Sequence, residues 1–192
     1  MAGSSPAPAS AARPTDRDDV IARPDTLHAF FEASARRRPD AIAIDVPPGP
    51  ERPARETVTY AQLNRQAEAV AGSLAPLVSH ESIVAILVPR TSSQVYSAQV
   101  GVLKAGAAYT CIDVTFPDEQ IRDILSDSGA VALLTDASSL ARVGAFGFAA
   151  PPVIELNEVC LQPDTTPVLL RERPDVEPLS QPSWLEIGRA HV

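Results

Sequence analysis

Between Thr26 and Leu156, stretches with apolar residues at helical spacing alternate with short, nearly unbroken apolar runs. The first stretch predicts a helix capped by Asp25 or Thr26, with Leu27, Phe30, Phe31 and Ser34 on its packing face and Pro39 as its stop. Ala41 to Val46 predicts a strand, and Pro47 through Arg55 an exposed loop. Thr59 and Gln62 have the spacing of a capping box, in which hydroxyl and amide satisfy two free N–H groups reciprocally. The helix they open aligns Leu63, Ala67, Val70 and Leu74. Ser82 to Val88 is an apolar run of the kind buried on both faces of a parallel sheet, closed by Pro89 and Arg90. Thr91 or Ser92 caps the next helix, which carries Val95, Tyr96, Gln99, Val102 and Leu103. Gly106 stands where a helix ends in a left-handed residue, a conformation glycine adopts without a Cβ penalty. A buried strand is expected from there to Asp113. Pro117 fits the first turn of another helix, which buries Ile121, Ile124 and Leu125 and stops at Gly129. Ala130 to Thr135 predicts a further strand and Val153 to Leu156 a weaker one. The order predicts an α/β fold: an open, mostly parallel sheet with helices on both faces and right-handed crossovers.

The flanks differ in composition. Residues 1–23 are small, polar and proline-rich and predict a disordered leader, because they bury too little apolar surface to offset ordering. Residues 24–160 carry the α/β pattern. Residues 161–185 are proline-rich and acidic and predict a surface loop or an unravelled end. The last seven, Glu186 to Val192, resemble the translation of a common sequencing adapter and are expected to be foreign to the fold. With 192 residues, 45% of them hydrophobic and 21% charged, the chain suits one folded core. A net charge of −8 argues against a nucleic-acid surface, which needs a basic face. No run reaches the roughly 20 apolar residues that span a bilayer, so no membrane partner is expected. Cys111 and Cys160 form no zinc pattern or disulfide framework, which suits a reducing cytoplasm.

Candidate chemistry is sparse. Gly101 and Gly106 have the interval of a phosphate loop, but Ala107 and Ala108 stand where Lys and Ser or Thr belong, and the interior reads as helix. Lys104, the sole lysine, falls in the last turn of that helix and is expected to meet the negative end of the helix dipole. His28 reads as a helix-face residue and His80 as a turn residue. Asp113 and Asp118 flank a turn, and capping by Thr115 or Asp118 explains them more simply than a metal does. Arg36, Arg37 and Arg38 suit a helix C-terminus. Arg90 falls at the carboxyl edge of a strand, where α/β sheets place ligands.

Several blocks in order carry a resemblance: Thr26-Leu-His-Ala-Phe-Phe31, Arg38-Pro-Asp-Ala-Ile-Ala43, Val58-Thr-Tyr-Ala-Gln-Leu63, Val84-Ala-Ile-Leu-Val-Pro-Arg90, Leu103-Lys-Ala-Gly-Ala-Ala-Tyr-Thr-Cys-Ile-Asp113 and Asp127-Ser-Gly-Ala130. Together they resemble the adenylate-forming (AMP-binding) superfamily, most closely the adenylation domains of nonribosomal peptide synthetases. The chain departs from that pattern at Thr110, Cys111 and Val114. The resemblance implies part of the N-terminal subdomain of that fold. It implies that a complete enzyme activates an amino or other carboxylic acid with ATP and Mg2+. The acyl adenylate then passes to the phosphopantetheine thiol of a carrier protein, beside condensation-type domains. The family's Ser/Thr/Gly-rich phosphate loop is expected after a segment like Leu179 to Leu185, and its catalytic lysine belongs to a C-terminal domain. No residue of this chain is therefore assigned a catalytic, cofactor-binding or metal role, and the chain alone is expected to be inactive. The alternatives are part of a stand-alone acyl-CoA ligase and a genuine short, non-catalytic α/β binding module.

Overall fold

A computed structural model of the protein describes residues 26–49, 52–146 and 150–160. The expected leader (1–23), proline-rich stretch (161–185) and terminal seven residues (186–192) lie outside the described residues. In chain order the elements are α1 (Leu27–Arg37), β1 (Ile42–Val46), β2 (Glu56–Thr59), α2 (Tyr60–Leu74), β3 (Ile83–Leu87), α3 (Gln94–Lys104), β4 (Ala108–Ile112), α4 (Asp118–Ser128), β5 (Ala132–Thr135), α5 (Ala137–Gly144), β6 (Val153–Glu155) and α6 (Leu156–Cys160).

The apolar run of β3 lies inside a parallel four-stranded sheet of order β4-β3-β5-β6. Its register sets Leu87 opposite Ile112 on one side and Thr135 on the other. The two-residue period of a strand then sorts its side chains. Val84 and Ile86 join Val70, Leu74, Val102 and Leu134 under α2 and α3. Ala85 and Leu87 join Ile121, Leu125, Leu133 and Val143 under α4 and α5. Both faces are covered, which is why β3 is apolar at every position. Each fully buried Leu, Ile or Val of this core stabilises the fold by about 1.5–3 kcal/mol relative to exposure.

The helix ends follow the chemistry of their residues. The Thr59 Oγ1 accepts from the Gln62 N–H at 3.2 Å and the Gln62 Oε1 accepts from the Thr59 N–H at 2.8 Å, a complete capping box. Gly106 and Gly129 have φ of 76° and 60°, as left-handed C-terminal residues. Asp136 caps α5 by accepting from the Ser139 N–H at 2.9 Å.

Several expectations change. The run toward Asp113 predicts a buried strand, but β4 lies at an edge of the sheet among the described residues. Only Ile112 of it is buried, Tyr109 is 38% exposed and Cys111 is exposed. Its alanine, threonine and cysteine fit either face, so composition does not separate edge from centre. The face of α1 is also turned. Leu27 and Phe30 are 74% and 53% exposed, and Ala35 is the buried residue. Phe31 instead packs on the Tyr60 ring at 5.9 Å and against the small cluster of Ile44, Val58 and Leu63. On α3, Tyr96 is exposed while Ala98 and Val102 are buried. The loop expected after β1 ends in β2, which pairs antiparallel with β1. Helices α5 and α6 are not evident in the apolar spacing.

The glycine at 101 is a packing residue. A Cβ there would lie 2.6 Å from the Val70 Cβ and 2.9 Å from the Ala67 carbonyl oxygen of α2. Since backbone is among the atoms met, the two helices must separate to admit even a methyl group. Gly101→Ala is expected to destabilise the fold by about 1–3 kcal/mol, read as a lower urea midpoint of the full chain by circular dichroism; an unchanged or higher midpoint contradicts the close approach.

Candidate functional site

In open parallel sheets, loops leaving the carboxyl ends of neighbouring strands on opposite paths leave a crevice that side chains do not fill. Such a cleft, of about 410 Å³, opens here beyond β3 and β4. Its floor is aliphatic, from Ile86, Val95 and Ile112, and its rim carries Arg90, Tyr96, Gln99, Cys111 and Asp113. The Gln99 Nε2 donates to the Cys111 Sγ at 3.4 Å.

Arg90 and Asp113 close one end. The guanidinium donates to the Asp113 Oδ2 at 2.6 Å, with the arginine side chain 84% exposed and the aspartate 18% exposed. The other carboxylate oxygen accepts from the Thr115 N–H at 2.9 Å and from the Thr115 hydroxyl at 2.7 Å. These donors all favour the charged form. The Thr115 N–H and hydroxyl, followed by Arg90, bring Asp113 down to about 2. Asp113 is thus the acceptor that shapes the β4–α4 turn, reversing the expectation that Thr115 or Asp118 does the capping. Asp118 pairs instead with Arg142 of α5 at 2.6 Å, and Arg142 also donates to the carbonyls of Val114 and Phe116. Sequence reasoning missed Arg142 because it missed α5; the signal was Asp136 three residues before Ser139.

The remaining candidates are scattered. His80 lies in an exposed turn. His28 lies on α1, where burial pushes its imidazole below the ordinary value, against the pull of Glu32 and with the push of Lys104. Arg36 to Arg38 are exposed at the end of α1. Lys104 does not face solvent at the helix end. It is buried, and its Nζ lies 2.5 Å from the Glu32 Oε1 and 3.7 Å from the Glu68 Oε1. The short dipole reach of a helix end is outweighed here by two carboxylates in a low-dielectric setting.

These residues do not build a magnesium–triphosphate site. A triphosphate needs a cradle of free backbone N–H groups with basic side chains, and the metal needs oxygen ligands. Residues 101–104 are helical, with their N–H groups committed to the helix, and the sole lysine is sequestered by carboxylates. Among the described residues no group of three or more His, Cys, Asp or Glu is placed to hold a metal ion. No described helix is long and apolar enough to cross a membrane.

Comparison with known proteins decides the family. The AMP-binding enzyme family matches residues 31–184. The chain belongs to that family. CymA of Salinispora arenicola, a probable non-canonical nonribosomal peptide synthetase, is 31% identical over 169 residues, covering 88% of this chain and 2% of CymA. One of the linear gramicidin synthase polypeptides of Brevibacillus parabrevis is 39% identical over 133 residues, covering 69% of this chain and 2% of the synthase polypeptide. The solved nonribosomal peptide synthetase FmoA3, bound to α-methyl-L-serine-AMP, superposes with a TM-score of 0.62 at 27% identity, over 73% of this chain and 15% of FmoA3. A fatty acid AMP ligase from Legionella pneumophila shares the fold, with a TM-score of 0.64 at 22% identity, over 71% of this chain and 24% of the ligase. The chain thus spans only a small part of the length of the relatives it matches, and its α/β sheet is similar to that of adenylate-forming enzymes.

Asp113 gives this site a pH signature. Because its folded value is depressed, its contribution to the turn is present above the usual carboxylate range and is lost as pH falls through about 2. The Asp113 carboxyl is expected to titrate by NMR near that value. In Arg90→Ala the midpoint should rise yet stay below the usual carboxylate range, since both Thr115 donors remain; no rise would show that Arg90 does not stabilise the charge.

Proposed function

We propose that this chain supplies N-terminal scaffold of an adenylation domain of the nonribosomal peptide synthetase type, with residues 24–160 as a partial subdomain. The observation that carries the reading is the family match over residues 31–184, together with synthetase and synthase relatives at 31% and 39% identity. The doubly covered parallel sheet supports it, because it is a support for loops rather than a site in itself. The complete enzyme activates an amino or other carboxylic acid as its acyl adenylate, using ATP and Mg2+. It hands the acyl group to a carrier-protein phosphopantetheine thiol beside condensation-type domains, in the cytoplasm.

The contribution of the described residues is structural. Arg90, Asp113 and Thr115 fix the turn after β4, Arg142 ties that turn to α5, and Gly101 sets α3 against α2. None of them supplies a nucleophile, a base or a phosphate cradle, so no chemical step is assigned to them.

The purified 192-residue chain is expected to show no acid-dependent ATP–pyrophosphate exchange. Residues 31–184 grafted in place of the matching segment of a linear gramicidin synthase adenylation domain should retain exchange. Exchange by the isolated chain would overturn the scaffold reading, and a folded graft that binds ATP without exchanging pyrophosphate would count against the family role.

A further inference from the structure

Helix α1 is attached to the rest of the protein in an unusual way. Its large apolar residues Leu27 and Phe30 are exposed, and the only buried residue of α1 is the small Ala35. Phe31 packs at the edge of the small Ile44–Val58–Leu63 cluster, apart from the two clusters that sandwich the sheet. What joins α1 to α3 is charge: Glu32 on α1 and Lys104 on α3, with Glu68 of α2 as a second, longer partner. The Lys104 side chain is 4% exposed and the Glu32 side chain 21%.

The joint between α1 and α2 is also loosely filled. A groove of about 440 Å³ runs along it, lined by Ala35 and Ala61 and by the polar Glu32, Arg36, Asn64, Arg65 and Glu68. The Asn64 Oδ1 is enclosed there and accepts no hydrogen bond, while its amide donates to Glu68 at 2.7 Å. An enclosed acceptor without a donor is a cost that opening relieves. A buried cation has the opposite effect, because removing Glu32, its nearer carboxylate, leaves the amine desolvated with only the longer contact to Glu68. The docked position of α1 therefore depends on one ion pair more than on apolar contact.

We infer that α1 is a latched element: it opens locally from the α2–α3 face while the sheet stays folded, and the Lys104–Glu32 pair holds it shut. Regions with few buried apolar contacts open at lower free energy than core strands. Opening carries Glu32 away from the amine and admits water to Lys104. Lys104 is the sole lysine of the chain, so acylation of its amine reports one side chain and this one event.

The test uses the full chain with two measurements. Peptide mass spectrometry follows acetylation of Lys104 by an N-hydroxysuccinimide ester, with Nα-acetyl-lysine amide in the same tube as reference. Amide hydrogen exchange is read over residues 27–37 and 83–87. In the wild type, Lys104 should react at least about tenfold more slowly than the reference, and residues 27–37 should exchange faster than residues 83–87. Glu32→Gln should accelerate both Lys104 acetylation and exchange of 27–37 by about tenfold or more, leaving 83–87 unchanged. The inference fails if wild-type Lys104 reacts as fast as the reference, or if residues 27–37 are as protected as β3. It fails equally if Glu32→Gln speeds acetylation without speeding exchange of α1, since the amine would then be freed with the helix still docked. Acceleration over 27–37 and 83–87 together would mean global unfolding and would also overturn it. Should Glu32→Gln not fold, the wild-type comparison of the two segments decides.

Discussion

The approach of α3 to α2 at Gly101 sets the rest of the structure. A side chain there would strike Val70 and the Ala67 carbonyl, so the helices meet almost backbone to backbone. That distance lets one layer carry Val70, Leu74, Ala98 and Val102 down onto Val84 and Ile86 of the central strand. It also brings Lys104, one helical turn further on, under α2 and against α1. The two glycines that imitate a phosphate loop thus have unrelated duties. Gly101 admits a neighbouring helix, and Gly106 ends its own helix in the left-handed region.

Much of the fold is legible in the sequence where one local rule decides. The capping box at Thr59, the left-handed ends at Gly106 and Gly129, and the doubly buried β3 each follow from a residue type in a fixed place. What is not legible depends on partners distant in sequence. The alternation in β4 cannot say that no described strand covers its outer edge. The helical spacing in α1 places Leu27, Phe30 and Phe31 together, yet Glu32 is drawn inward by an amine 72 residues later, and the helix turns with it. Short elements such as α5 carry too few apolar positions to stand out from a loop, and with α5 went Arg142. At the carboxyl-edge cleft, Arg90 was legible from its position after β3. Its partner Asp113, and the two Thr115 donors that fix it, follow from turn geometry rather than from apolar pattern.

Family membership and local chemistry answer different questions here. Membership rests on blocks that are mostly scaffold: a cap, a buried strand, a helix end. The same blocks explain why the described residues lack a nucleotide cradle. In this part of the fold the polar side chains are committed to one another. The carboxylates near the cleft are already saturated by donors, and the sole lysine by carboxylates.

The strand order β4-β3-β5-β6 has a temporal side. The ribosome releases β3 before either of its neighbours, and β4 follows first, on one flank. At about 5–20 residues per second, the 20 positions from Ile112 to Ala132 take roughly 1–4 s. For that interval the nascent chain carries its most apolar strand with one flank unpaired. A delay in synthesis over α4 lengthens that exposure, although the residues being added in that interval end up beneath the other face of the sheet, with Ile121 and Leu125 against Leu87.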